Sequence, residues 1–146
     1  MSWEDVARIR DWWGGKFILK GIMEPEDAAE AMKIGADAII VSNHGGRQLD
    51  ETSSSISMLP SIVNEVGGQA SVWMDGGIRS GQDILKARAL GAQNILVGRS
   101  FCYGIGACGY EGGMKALNIL NQELDITMAL CGHRDIREVN SSILKT

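Results

Sequence analysis

The chain has 146 residues, of which 45% are hydrophobic and 22% charged, a composition typical of a globular domain large enough to bury its own core. The net charge of -4 and the lack of a basic run argue against a nucleic-acid partner, and no apolar stretch approaches the roughly 20 residues of a membrane span. The acidic, polar N-terminus is unlike a secretory signal, so we expect a cytoplasmic protein.

Apolar residues at helical spacing alternate along the chain with short apolar runs, which predicts alternating helices and strands. The serine-rich residues 51–57 are predicted to form a mobile loop. Trp12 and Trp13 are predicted to belong to the core or an interface, with the core favoured, rather than to a ligand platform. The predicted elements are a helix over 3–13, a strand over 17–21, a helix over 25–34, a strand over 38–41, a helix over 56–66, a strand over 72–74, a helix over 81–90, a strand over 94–97, a helix over 113–130 and a helical turn over 135–139.

The cysteines are three in number and lack a CxxC pair. This pattern predicts neither a structural zinc site nor a disulfide framework. We expect reduced and buried thiols at Cys102, Cys108 and Cys131.

Two stretches of the sequence match at a constant offset of 56 residues. Each runs from a strand end through a helix and a Gly-Ala turn into the next strand. Four such strand-helix units predict an α/β fold with a parallel sheet covered by helices. The pattern fits an open doubly wound sheet or four units of a closed (β/α)8 barrel, which needs about 250 residues when complete. The matching residues are Gly21, Ile22, Asp27, Ala31, Gly35, Ala36, Ile39 and Val41 in the first stretch, and Gly77, Ile78, Asp83, Ala87, Gly91, Ala92, Ile95 and Val97 in the second.

The segment Ser42–Asp50 directly follows the strand predicted over 38–41. Ligands bind beyond the carboxyl ends of parallel strands. Within this segment His44 can transfer a proton near neutral pH, and Arg47 can hold a carboxylate through two parallel hydrogen bonds. The simpler interpretation is a glycine-rich loop with solvated side chains, and these features alone favour neither.

Two further cations follow predicted strands. Lys20 is either a solvated lysine beyond the end of its strand or a cation directed at an anionic ligand, because burying a bare ammonium is costly. Arg99 follows Gly98 at the end of the fourth strand, a position that favours an anion site.

Four motifs resemble the family of FMN-dependent L-2-hydroxy-acid dehydrogenases and oxidases, in its order and at about its spacing. They are Leu19–Gly21, Ser42–Asp50, Asp75–Arg79 and Val97–Arg99. The resemblance covers nearly the whole chain and implies a TIM-barrel fold. In that family this region is only the carboxyl-terminal half of the barrel, strands five to eight, so we expect residues 1–146 to be such a half barrel.

The resemblance implies the cofactor FMN and oxidation of a small L-2-hydroxy acid to the 2-oxo acid. It assigns His44 as the active-site base and Arg47 as the group that binds the substrate carboxylate. Lys20 would lie near flavin N1 and the C2 oxygen, where a fixed cation stabilises negative charge. The remaining implied flavin contacts are Ser42 at the isoalloxazine edge, Asp75, Gly76, Gly77 and Arg79 along the ribityl chain and phosphate, and Gly98 and Arg99 at the phosphate.

Other groups of the family's site come from the half of the barrel that this sequence does not match. They include the aspartate that orients the base, so the chain alone is expected to turn over poorly. Unpaired strand edges and an uncovered inner face predict self-association, or pairing with the other half barrel. The overall sequence favours lactate as the substrate, while the electron acceptor stays open among oxygen, a quinone and a cytochrome.

Three other interpretations remain at this level. The first is a module that binds FMN without catalysis. The second is an unrelated phosphate-binding barrel enzyme, against which the segment Ser42–Asp50 argues. The third is a truncated reading frame without independent function, with which the composition is also compatible.

Overall fold

A computed structural model describes residues 1–144. Four parallel strands form one sheet, and each strand is followed along the chain by a helix. The strands are β1 (Ile18–Ile22), β2 (Ala38–Val41), β3 (Ser71–Met74) and β4 (Asn94–Ile95); the α-helices are α1 (Trp3–Trp12), α2 (Pro25–Ile34), α3 (Ser55–Val66), α4 (Gly81–Ala89) and α5 (Arg99–Leu130); 3-10 turns lie at His44–Gly46, Ile136–Glu138 and Ser141–Ile143.

The order of strands in the sheet is β1-β2-β3-β4, the same as their order in the chain. Crossovers between parallel strands are right-handed, so a sheet that always advances in one direction carries its helices on one face. A doubly wound sheet reverses direction and carries helices on both faces. The topology is therefore that of four units of a (β/α)8 barrel, and the open-sheet alternative is wrong.

The main hydrophobic core lies on the face of the sheet that the helices cover. Ile39 and Val41 of β2 and Val72 and Met74 of β3 belong to it, because alternate residues of a strand point to the same side. Ala38 and Ile40 point to the opposite face and lie outside this cluster. On that face Ala38 and Ile40 are buried, but Ile18 of β1 is 40% exposed, so an apolar side chain at the edge of the sheet reaches the surface where a complete barrel has its interior.

The 56-residue repeat is also visible in the structure. Ala31 and Ala87 are both fully buried beneath equivalent helix ends. The carbonyls of these two alanines accept hydrogen bonds from the backbone N–H groups of Ala36 and Ala92, over 3.0 and 3.1 Å. The two halves of the chain therefore have the same hydrogen-bonded turn between helix and strand.

Two helices differ from the sequence prediction. Helix α5 begins at Arg99 rather than near residue 113 and contains a break at Cys108 and Gly109. The sequence did not predict the first part of α5 because this part is rich in glycine, which has a low helix propensity. Helix α3 begins at Ser55, capped by the Ser54 side chain, so the predicted loop over 51–57 was too long.

The burial predictions for two residue types were wrong. Trp12 is 80% exposed, Trp13 also lies at the surface, and α1 contributes Trp3 to the core instead. All three cysteines are exposed, because α5 turns much of its surface outward. Within residues 1–144, no helix combines the length and apolar character that crossing a membrane requires.

Candidate functional site

A cavity of about 380 Å³ lies at the carboxyl ends of the strands, within the range of small-molecule sites. Lys20 of β1 and the segments that follow β2, β3 and β4 contribute to its wall, since parallel strands end at one edge of the sheet. The lining residues are Lys20, His44, Gly45, Arg47, Gln48, Asp75, Gly76, Gly77, Ile78, Arg79, Leu96, Gly98, Arg99 and Cys102.

Three polar side chains from neighbouring strands meet at the cavity floor. Lys20 of β1 forms an ion pair with Asp75, which follows β3. Its Nζ also donates a hydrogen bond of 2.7 Å to Ser42 Oγ at the end of β2. The register of β1 with β2 shifts between Lys20 and Ile22, and such irregularities re-aim side chains at the end of a strand. Of the two alternatives for Lys20, a solvated lysine beyond the end of its strand is therefore wrong, because Lys20 lies within β1 and is paired with Asp75.

The loop that carries His44 has an unusual backbone. His44 has φ +54° and is followed by Gly45 and Gly46, which also have positive φ. Such a conformation strains a residue with a side chain and is found at functional sites. The Asn43 side chain stabilises the turn by accepting a hydrogen bond of 3.0 Å from Gly45 N, and Ser42 Oγ accepts one of 3.1 Å from His44 N.

Two arginines converge on the cavity from the last two strand ends. Arg79 follows β3 and Arg99 follows β4. The guanidinium of Arg99 donates a hydrogen bond of 3.3 Å to the Gly45 carbonyl, which links the fourth strand end to the loop of His44. Arg47 is exposed at the cavity mouth, where its guanidinium is accessible to an anion.

The two helix N-termini beside the cavity differ in how their first N–H groups are used. At α4, Asp83 accepts hydrogen bonds from the backbone N–H groups of Arg79 and Ser80. At α5, the N-cap residue is Gly98, which has no side chain to accept such bonds. Within residues 1–144 no side chain caps this N-terminus, and Gly98 and Arg99 line the cavity. The positive dipole end of α5 therefore lies beside the cavity, which suits an anion.

Nine of the ten site residues predicted from the sequence line this one cavity. The tenth, Ser42, is 1% exposed and supports Lys20 and the His44 loop from below. Sequence reasoning missed the Lys20–Asp75 pair, because the pair joins residues far apart in the chain. It also missed Asn43, although an Asn before a glycine-rich turn is a recognisable turn signal, and the lining residues Gln48, Ile78, Leu96 and Cys102.

A family model and a known relative both match nearly the whole chain. The family model described as "FMN-dependent dehydrogenase" matches residues 1–146. The L-lactate dehydrogenase of Caulobacter vibrioides is 45% identical over 144 residues, which cover 99% of this chain and 38% of that protein.

Two solved structures are similar in fold as well as in sequence. The monotopic membrane protein (S)-mandelate dehydrogenase superposes with a TM-score of 0.95 at 40% identity, over 99% of this chain and 38% of that one. A mandelate oxidase mutant with the monooxide FMN adduct superposes with a TM-score of 0.90 at 44% identity, over 96% of this chain and 46% of that one. The chain spans less than half the length of these relatives.

Proposed function

Because this chain belongs to the FMN-dependent dehydrogenase family, we propose that it supplies the flavin and substrate contacts for oxidation of a small L-2-hydroxy acid, with lactate favoured. The observation that carries the proposal is the single cavity that joins His44 and Arg47 to Lys20, Arg79 and Arg99. A base and a carboxylate-binding group lie there beside cations suited to a phosphate and an anionic ring.

The residues present fit FMN on two counts. Asp75 Oδ1 is buried, and no group within residues 1–144 donates a hydrogen bond to it. A buried carboxylate oxygen without a donor is costly, and a hydroxyl of the ribityl chain would provide one. Arg79, Arg99 and the open amides of α5 supply the positive charge and N–H donors that a phosphate needs.

When bound, FMN would accept the two electrons released as the hydroxy acid becomes the 2-oxo acid. Arg47 binds the substrate carboxylate and thereby orients the substrate carbon toward the cavity. The imidazole of His44 accepts a proton from the substrate. Lys20 would donate an N–H to the N1 and C2-oxygen edge of the flavin and stabilise the negative charge that develops there.

The remaining flavin contacts are those that the family resemblance implies. Ser42 would hold the isoalloxazine edge, and Asp75, Gly76 and Gly77 would hold the ribityl chain and phosphate. Gly76 has φ +94°, and a Cβ there would lie 3.0 Å from Ser55 Oγ, so any other residue at this position would be strained and crowded against Ser55. Gly98, Arg79 and Arg99 would hold the phosphate.

A second candidate function is FMN binding without efficient turnover. No side chain within the described residues 1–144 forms a hydrogen bond with the imidazole of His44, which is exposed. A catalytic histidine needs a partner that fixes its tautomer. We propose that residues 1–146 are the carboxyl-terminal half of the barrel, that the orienting carboxylate comes from the other half, and that this chain alone reacts slowly.

The deciding experiment is an absorption spectrum of the purified chain after FMN is added and the excess removed by gel filtration. A retained flavin band that L-lactate bleaches without oxygen, and D-lactate does not, supports the oxidation. The variant His44→Gln should keep the band and lose the bleaching.

The other outcomes separate the candidates. A retained band without bleaching supports the binding module. A chain that keeps no flavin contradicts both functions for this chain alone. Bleaching at an ordinary enzymatic rate contradicts the proposal that an orienting carboxylate comes from elsewhere.

A further inference from the structure

Lys20 and Asp75 meet above the strand that separates them. Lys20 lies on β1 and Asp75 follows β3, while Ser42 ends β2 between them. The Lys20 ammonium pairs with Asp75 Oδ2 and donates to Ser42 Oγ over 2.7 Å. An ammonium has three N–H donors; within residues 1–144 these two partners accept two of them, and the third has no acceptor.

Both partners of Lys20 are held firmly by the sheet. Ser42 is 1% exposed and its Oγ is also bound by the backbone N–H of His44. Asp75 is fixed by its own N–H, which donates to the Val41 carbonyl over 3.1 Å. The ammonium is therefore held from two directions by groups that have little freedom to move.

Stability alone does not account for this arrangement. The Lys20 side chain is 38% exposed, and ion pairs of such exposure contribute little to folding. Asp75 also leaves its Oδ1 buried without a donor within residues 1–144, which costs free energy. A carboxylate that is kept at such a cost beside a cavity indicates a role toward the ligand.

We propose that Asp75 is a positioning residue, which together with Ser42 holds the Lys20 ammonium so that its third N–H is directed into the cavity. The proposal deepens the proposed function and rests on it, since the third N–H is the donor for the anionic edge of the flavin. It assigns Asp75 a role through Lys20 in addition to any contact with the cofactor.

The first test needs no flavin. The rate at which an amine-reactive acetylating reagent labels Lys20 in the folded chain is measured by mass spectrometry, with Lys86 on α4 as internal reference. Asp75→Ala should raise Lys20 labelling several-fold relative to Lys86, because the ammonium loses one of its two partners. Asp125→Ala, which removes an exposed carboxylate on α5, is the matched control. Unchanged labelling of Lys20 in Asp75→Ala overturns the proposal.

The second test is the midpoint potential of bound FMN, which a merely structural role would leave unchanged. Lys20→Met lowers the potential by removing the cation. Asp75→Ala should lower it by at least half as much, although it removes a negative charge, because Lys20 loses its position. A potential that stays the same or rises, as loss of a negative charge alone predicts, overturns the proposal.

Failure of the proposed FMN-dependent function and failure of the positioning role of Asp75 give different results. If the chain retains no FMN, the proposed function fails for this chain and the labelling rate alone decides whether Asp75 positions Lys20. If Asp75→Ala does not fold, as judged by circular dichroism, Asp75→Asn takes its place in the labelling, and Ser42→Ala, which releases the other contact, must raise labelling in the same way.

Discussion

The imidazole of His44 lies directly against the backbone of Gly21. A Cβ added to Gly21, which has φ +96°, would come within 2.8 Å of His44 Cε1. Real contacts of this kind are not that short, so any side chain at Gly21 must move the ring. The glycine at the end of β1 therefore determines where the proposed base can lie, although it carries no chemistry of its own.

Gly21→Ala should consequently displace His44. Gly35→Ala is a matched control, because Gly35 also has a positive φ of +79° but no atom within 4 Å of its added Cβ. Both substitutions should lower the free energy of unfolding by about 1 to 2 kcal/mol through backbone strain. Only Gly21→Ala should shift the His44 imidazole signals in NMR spectra and slow bleaching by L-lactate. Equal His44 shifts in both variants would contradict the proposed contact.

Arg99→Gln should weaken binding of FMN more than binding of riboflavin. The two ligands differ only in the phosphate, and a hydrogen bond to a charged group contributes about 1.5 to 3 kcal/mol. We expect FMN affinity to fall by about 10-fold or more, while riboflavin affinity changes little, as measured by flavin fluorescence titration. Arg8→Gln removes a remote cation that is paired with Asp5 and serves as the control. Equal losses of affinity for FMN and riboflavin would contradict a contact between Arg99 and the phosphate.

The turn at Asp135 should make stability depend on pH in acid. A side-chain hydrogen bond from Arg137, followed by one from its backbone N–H, lowers the pKa of Asp135 from 3.8 to about 2. A depressed pKa in the folded state gives stability that is present above the unfolded pKa and is lost as the pH falls through the folded one. The contribution should therefore disappear between about pH 4 and pH 2.

Urea denaturation of Asp135→Asn and of the unchanged chain measures this effect. The difference between their free energies of unfolding should be largest at neutral pH and vanish toward pH 2. Asp125→Asn, whose carboxylate forms no ion pair among the described residues, controls for the loss of one charge. A difference for Asp135→Asn that stays constant down to pH 2 would argue against the Arg137 contact.

Gly81 allows helices α4 and α5 to touch. A Cβ there would lie 2.0 Å from the backbone nitrogen of Leu124, and Gly81 N donates to Glu123 Oε2 over 2.9 Å. Gly81→Ala should therefore lower the free energy of unfolding by about 1 to 3 kcal/mol or more. Gly106→Ala on α5 meets no atom within 4 Å and should raise it by about 0.5 to 1 kcal/mol. Thermal unfolding checks both, and effects of the same sign would contradict this helix packing.

The uncovered sheet face should drive association of the chain. In residues 1–144, β1 and β4 are edge strands, and Ile18 on the uncovered face is 40% exposed. Free edges and apolar faces pair with other chains, so sedimentation should detect a dimer or larger species. Ile18→Thr should weaken this association, whereas Ile126→Thr on the outer surface of α5 should leave it unchanged. A monomer with well-dispersed NMR signals would rule this out.

The sequence predicted the parts of the fold that depend on local pattern. The strand over 38–41 was predicted correctly because its four apolar residues are bounded by polar ones. The first part of α5 was not, because its glycines signal a loop although packing makes it a helix. Trp12 was placed in the core by its apolar character, which says nothing about which face of a short helix is covered.

The candidate site was predicted in part for a similar reason. Residues at strand ends converge in any parallel sheet, so Lys20, His44 and Arg99 could be placed together without a structure. Contacts between side chains depend on register and on bulges, so the approach of Asp75 to Lys20 and of Gly21 to His44 required coordinates. The roles assigned to these residues, and the cellular location, stay predictions.

The two repeated strand-helix-strand stretches share the residues that hold their helices in place but differ in residues at their strand ends. At an offset of 56 residues, Lys20 corresponds to Gly76 and Ser42 to Gly98. At these two pairs of positions the first half of the chain carries a polar side chain and the second half a glycine, on the same buried alanine supports. For protein engineering this means that residues at the strand ends can be exchanged to alter ligand preference while the alanine and glycine positions that hold the helices in place are left untouched.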